Sequence, residues 1–327
     1  MWQRFTRSVQ MSEFSFLDPF QSVAIPLGDW VTHTLNFLVH HFRDVFRGIR
    51  WPIDQVLNGI EFILQSIPPS IGILLSSLLG WQLAGKRMAL LCFITLTLLG
   101  LIGVWSASMT TLALVLTSVF FCALIGIPLG ILCARSNRLE QVTRPLLDAM
   151  QTLPAFVYLV PVVMLFGIGN VPGVLVTIVF ALPPLVRLTN LGIRQVPEDK
   201  IEAARAFGCT PRQMLTRVQL PLATSTIMAG LNQTLMLSLS MVVIASMISV
   251  GGLGQMVLRG IGRLDMGLAT VGGVGLVLLA IFLDRLTQAM GARTAADPSL
   301  RWYHTGPVGL ITRLYGAGRP ARQPHSA

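Results

Sequence analysis

Four kinds of residue in this chain do chemistry in other proteins, and their placement decides each case. Gly80-Trp81-Gln82-Leu83-Ala84-Gly85-Lys86-Arg87 spells most of a phosphate-binding loop. Such a loop needs a Ser or Thr after its lysine to hold magnesium, and a strand leading into its first glycine. Here Arg87 takes the hydroxyl position and an apolar run precedes Gly80, so no nucleotide site is expected. Of His33, His40 and His41, the last two are adjacent and point to different faces of a helix, which reads as solvated or interfacial histidine. Cys92, Cys122, Cys133 and Cys209 show no metal or redox spacing and are read as reduced and structural. The 14 acidic residues fall in the N-terminal region, in loops or at the ends of apolar runs. Asp148 lies in the first turn of the fourth run, Asp284 stands beside Arg285, and Arg187 sits near a run end where it can snorkel. With no carboxylate at mid-membrane, an ion pathway has no obvious carrier, although backbone carbonyls at broken helices can hold sodium. No nucleophile–base pair stands out, so an enzyme is not expected.

One polar island remains, between about residues 197 and 221. Pro197 followed by Glu198 and Asp199 is a helix start, with acidic groups set against the positive end of the helix dipole. Glu202-Ala203-Ala204 is strongly helix-forming, and Gly208 is placed where a helix ends on positive φ. Thr210-Pro211-Arg212-Gln213 restarts the helix with a capping box. Pro221 is expected to end this second helix, giving a bent pair that suits docking into a groove.

The spacing Glu202-Ala203-Ala204, three residues, Gly208, nine residues, Val218, one residue, Leu220-Pro221 resembles the EAA loop of permease subunits of binding-protein-dependent ABC importers. Only Val218 departs, standing where that family has Ile. The resemblance implies that the island is the contact with a separate ATPase. ATP and magnesium then belong to that partner, and this chain is a transport subunit with no cofactor.

The elements that must position the island are membrane helices. Apolar residues make up 53% and charged ones 12%, with a mean hydropathy of +0.69. Soluble chains carry about 25% charged residues. The net charge of +10 does not point to nucleic acid, because the basic residues flank apolar runs as topology signals do. Seven runs lie near 70–85, 88–107, 111–133, 146–168, 170–190, 224–249 and 267–286, the first being short. A span needs about 20 such residues, and continuous runs indicate helices rather than a barrel. With the island inside, Lys86, Arg87, Arg135, Arg138 and Arg144 also fall inside, whereas the connections at Trp105-Ser106 and Gly169-Asn170 carry no Lys or Arg. Pro154, Pro161, Pro183 and Pro184 are expected to break helices and mark a pathway, and Gly126 and Gly130 to let helices approach closely.

Ahead of these runs, apolar residues from Leu35 to Ile49, and again from Ile53 to Ile67 after Pro52, repeat at helical spacing. They predict two amphipathic helices, lying at a membrane interface or packed on other protein. The expected organisation is a periplasmic or interfacial tail over 1–69, a transmembrane domain over 70–290 with its coupling loop at 191–223, and a cytoplasmic tail over 291–327. The fold class is all-α and polytopic.

A closer resemblance covers the chain from about residue 14. Leu146 to Pro161, Met164 to Gly173, Asn232 to Gly267, Leu17-Asp18-Pro19-Phe20 and Arg301-Trp302-Tyr303 are similar to permeases of bacterial glycine betaine/proline betaine importers. This implies a homodimer in the bacterial inner membrane, two ATP-binding subunits, a periplasmic substrate-binding protein and uptake for osmoprotection. No nucleic-acid partner is implied. The alternatives are a carnitine or choline importer and, from another class, an ion-coupled secondary carrier.

Overall fold

The computed structural model describes residues 27–296, and every element among them is helical. The first part of the 1–69 tail, with Leu17-Asp18-Pro19-Phe20, and nearly all of the 291–327 tail lie outside the described residues.

Helix α1 (Leu27–His41) and helix α2 (Arg43–Ser66) divide at Phe42, not at Pro52. Pro52 sits inside α2 because contacts on both sides hold one helix together. Before it, Phe46 packs edge-on against Phe166; after it, Ile53 and Leu57 are buried in the main core. One stripe of this helix packs on protein, while Trp51, Phe62 and Ile63 stay exposed. Pro68 and Pro69 then turn the chain by 105° into helix α3 (Pro69–Ala84).

Helix α3 and helix α4 (Lys86–Leu101) form a hairpin about Gly85, whose φ is +87°. Gly80 faces α4 so closely that a Cβ there would lie 2.9 Å from the Cys92 sulfur. The resemblance to a phosphate loop thus resolves into helix–turn–helix packing. Each of these helices has 16 residues. At about 1.5 Å per residue neither reaches the roughly 30 Å of a hydrocarbon core unaided.

Helix α5 (Trp105–Arg135) and helix α8 (Asn170–Arg194) carry the core. Between them lie helix α6 (Asn137–Thr152) and helix α7 (Ala155–Phe166), bent by 98°. The run at 146–168 is therefore not one straight span. Pro154 forces Leu153 into extended backbone at φ −70°, ψ 133°, and α6 stops there. By contrast α8 is continuous through Pro183 and Pro184, both buried, and α7 through Pro161. Those three prolines break nothing. Neighbouring helices pack around the freed carbonyls and keep α8 intact. A Cβ on Gly130 of α5 would lie 2.6 Å from the Cβ of Thr189 on α8, so the two backbones meet through small residues.

After helix α9 (Glu198–Ala206), helix α10 (Pro211–Gln213) passes through a π-helical turn (Met214–Gln219) into helix α11 (Leu220–Ala245). Helix α12 (Leu253–Arg263) starts at Gly252, with φ +97°, and helix α13 (Met266–Ala296) closes the described chain. Four helices are long and apolar enough to span alone, namely 105–135, 170–194, 211–248 and 266–291. Six result if each bent pair counts as one.

Candidate coupling site and its membrane support

The island is built almost entirely from backbone chemistry. Helix α9 ends on Phe207, and Gly208 takes φ +76°. Its N–H donates to the Arg205 carbonyl at 2.9 Å, and that of Cys209 donates to the Ala204 carbonyl at 3.1 Å. Together these bonds form a complete Schellman motif. Two residues on, the Gln213 N–H donates to the Thr210 hydroxyl at 3.4 Å, and the Thr210 N–H to the Gln213 side-chain oxygen at 2.9 Å. The end of one helix and the start of the next are thus both closed, across a corner of three residues.

Where Pro221 was expected to stop the second helix, the helix runs on. Pro221 offers no N–H to the Arg217 carbonyl. The π turn absorbs the defect: the Leu220 N–H reaches back five residues to Leu215, and Pro221 falls in the first turn of α11. The island is therefore the end of a helical rod that enters the apolar core. Ala204, Met214 and Leu215 are buried where α9 folds back on the π turn. Glu202, Ala203, Pro211 and Pro221 are exposed, and Val218 and Leu220 half-buried. Phe207, 89% exposed, projects from the corner. Its signal in the sequence was an aromatic directly before the helix-ending glycine of a polar stretch. A cavity of about 490 Å³, lined by Arg135, Arg205, Cys209 and Met214 among others, lies alongside.

A second polar assembly ties α6 to α8. Arg194 meets Glu140 at 2.9 Å, Asn137 at 2.8 Å and the Cys133 carbonyl at 2.9 Å. Asn190 adds a donor to Glu140 at 2.9 Å. Farther along α6, Asp148 accepts from Arg187 at 2.6 Å, and Gln151 accepts from the same guanidinium at 2.9 Å. Asp148 is thus near the end of α6, not in the first turn of a span, and Arg187 is paired. Between the two ion pairs lies a cavity of about 390 Å³. Only Thr143 and Leu147 of α6 are buried, so polar contacts do much of the holding. Of the sequence-marked prolines, Pro154 stands at the exposed bend before α7, while Pro183 and Pro184 lie in the core, away from the island.

Residues 126–296 match the family described as "binding-protein-dependent transport system inner membrane component". The chain is 62% identical, over 96% of its length and 89% of the relative's, to the glycine betaine/proline betaine transport system permease protein ProW of Escherichia coli K12. It is 44% identical, over 81% of its length and 94% of the relative's, to the glycine betaine transport system permease protein OpuAB of Bacillus subtilis. A solved chain of the MetNI methionine ABC transporter, described as inward facing, is 28% identical over 58% of this chain and 93% of that one, with a TM-score of 0.50.

Proposed function

Because this chain belongs to the family of binding-protein-dependent transport system inner membrane components, we propose that it is the permease through which a glycine betaine-type osmolyte enters the cell. The substrate class follows from the 62% identity to ProW across nearly the whole chain. A substrate-binding protein outside delivers the osmolyte, and a separate ATPase supplies the energy. The observation that carries the mechanism is the continuity of the island with α11: a corner closed by a Schellman motif and a capping box sits on a helix long and apolar enough to cross a membrane.

The ATPase grips α9 and the exposed Phe207, and closure of two ATPases moves two islands together. One chain offers one island, so the working unit holds two copies of this permease. The pathway passes the α6–α7 bend. With 12 residues, α7 rises only about 18 Å, and a helix that short at membrane depth belongs beside protein or a water-filled cavity. Phe156, Val157 and Val160 give it an exposed apolar face for the second copy. The island lies in the cytoplasm, the N-terminal tail outside and the C-terminal tail inside, as the basic loops favour.

The test is the complete importer in proteoliposomes, assayed for ATPase stimulation by binding protein loaded with a panel of betaines. Stimulation by glycine betaine or proline betaine, with uptake that survives collapse of ion gradients but not loss of ATP, is expected. Uptake that follows the gradient without ATP would contradict the reading. A purified complex holding one copy of this chain and no second permease would remove the dimer.

A further inference from the structure

On the membrane face opposite the island, Arg43, Arg47 and Arg50 of α2 stand at i, i+4 and i+7 and so share one side of the helix. With Phe46 they line a cavity of about 480 Å³ whose far wall is the end of α7, from Met164 to Gly167. Arg50 donates to the Phe166 carbonyl at 2.9 Å and so caps α7. Arg47 has a loose pair with Asp44 at 3.9 Å, both side chains being well exposed. Arg43 has no ion pair among the described residues. Three guanidiniums therefore line one cavity, and no carboxylate is among its other lining residues. The half-buried Phe46 and the exposed Met164 give the same cavity apolar walls.

The level of this cavity is fixed by α8. Its 25 residues run from the corner after α7 to the island side, about 37 Å, which is the thickness of a hydrocarbon core with some margin. The arginine cavity is thus at the depth of lipid headgroups. Guanidinium forks match phosphate oxygens in pairs, and the excess of positive charge calls for an anion. A free anion would leave the neighbouring apolar side chains bare, whereas a lipid covers both.

We propose that this cavity is a binding site for the phosphate of an anionic phospholipid, held by Arg43 and Arg47, with acyl chains against Phe46 and Met164. Arg50 stays on its carbonyl and closes the floor. The bound lipid fastens α2 to α7, beside the helix that borders the pathway. The inference depends on the membrane placement of the chain, not on which osmolyte it carries.

The test uses the whole importer, purified from membranes containing phosphatidylglycerol and phosphatidylethanolamine, with retained lipid counted by mass spectrometry. R43Q/R47Q should retain about tenfold less phosphatidylglycerol per protomer, as expected for losing charge-assisted contacts, while phosphatidylethanolamine is unchanged. R43K/R47K should retain an intermediate amount, because lysine keeps charge without the fork. If the double variant fails to assemble, Arg43→Gln alone, which breaks no ion pair among the described residues, serves with a several-fold loss expected. Added phosphatidylglycerol, but not inorganic phosphate, should raise the melting temperature of the wild type and not of R43Q/R47Q. Equal retention in the variants, or equal protection by inorganic phosphate, would overturn the lipid assignment. So would weakened capture of the binding protein with lipid retention intact, which would give the surface to a protein partner.

Discussion

Two polar assemblies are built on opposite principles in this molecule. The island corner between α9 and α10 is closed by backbone hydrogen bonds and one capping box, and among the described residues it contains no long-range ion pair. The α6–α8 contact is closed by two ion pairs between residues 39 and 54 positions apart in sequence, across a cavity of about 390 Å³. The first cannot change shape without paying backbone strain or leaving carbonyls orphaned. The second can open by separating side chains whose charges water readily solvates. A corner fixed by backbone bonds thus stands in contrast to a contact that can yield, and α8 touches both the yielding element and the rod that continues from the corner.

This contrast predicts a ranked series of stability effects, each measurable by denaturant or thermal unfolding of the purified permease. Arg194→Ala should cost most, about 2–3 kcal/mol, because it strips Glu140 of its cation and leaves the Cys133 carbonyl unpaired. A loss below about 0.5 kcal/mol would mean that apolar contacts hold α6 instead. Thr210→Ala should cost about 1 kcal/mol by removing the cap of α10, and the effect should not respond to salt. Arg187→Gln should cost under about 1 kcal/mol and should respond to salt, since its pair with Asp148 is roughly half exposed (42% and 52%). Equal salt response in the Thr210 and Arg187 variants would erase the distinction between the two assemblies. Glu202→Ala should change stability least, by a few tenths of a kcal/mol, because Glu202 is exposed and forms no ion pair among the described residues.

What the sequence made legible follows the same line. The Gly208 conformation and the Thr210–Gln213 box depend on residues within a few positions of each other, so local rules suffice. The small residues at Gly126 and Gly130 also announce a close helix contact, although not its partner. Prolines were a poorer guide. Pro52, Pro161, Pro183, Pro184 and Pro221 all lie within continuous helical rods, because packing or a π turn accommodates the lost bond; bends coincide with Pro154 and with Pro68-Pro69. The Asp148–Arg187 and Glu140–Arg194 pairs were invisible for a different reason. Nothing local marks which of several basic residues an acid will meet once α6 folds back along α8.

The central claim is that the island is a rigid joint between an ATPase and α11, and Gly208 tests it most directly. Its φ of +76° is the only obstacle to a side chain, since a Cβ there would meet nothing within 4 Å. Gly208→Val should therefore introduce roughly 1–3 kcal/mol of strain or bend the corner, whereas Gly208→Asn can adopt the left-handed region more easily. The measurement is uptake together with binding-protein-stimulated ATPase activity in proteoliposomes of the assembled importer. The account predicts that Gly208→Val still inserts and binds the loaded binding protein, yet loses most uptake and the ATPase response, while Gly208→Asn retains both. Normal uptake and normal stimulation in Gly208→Val would contradict it.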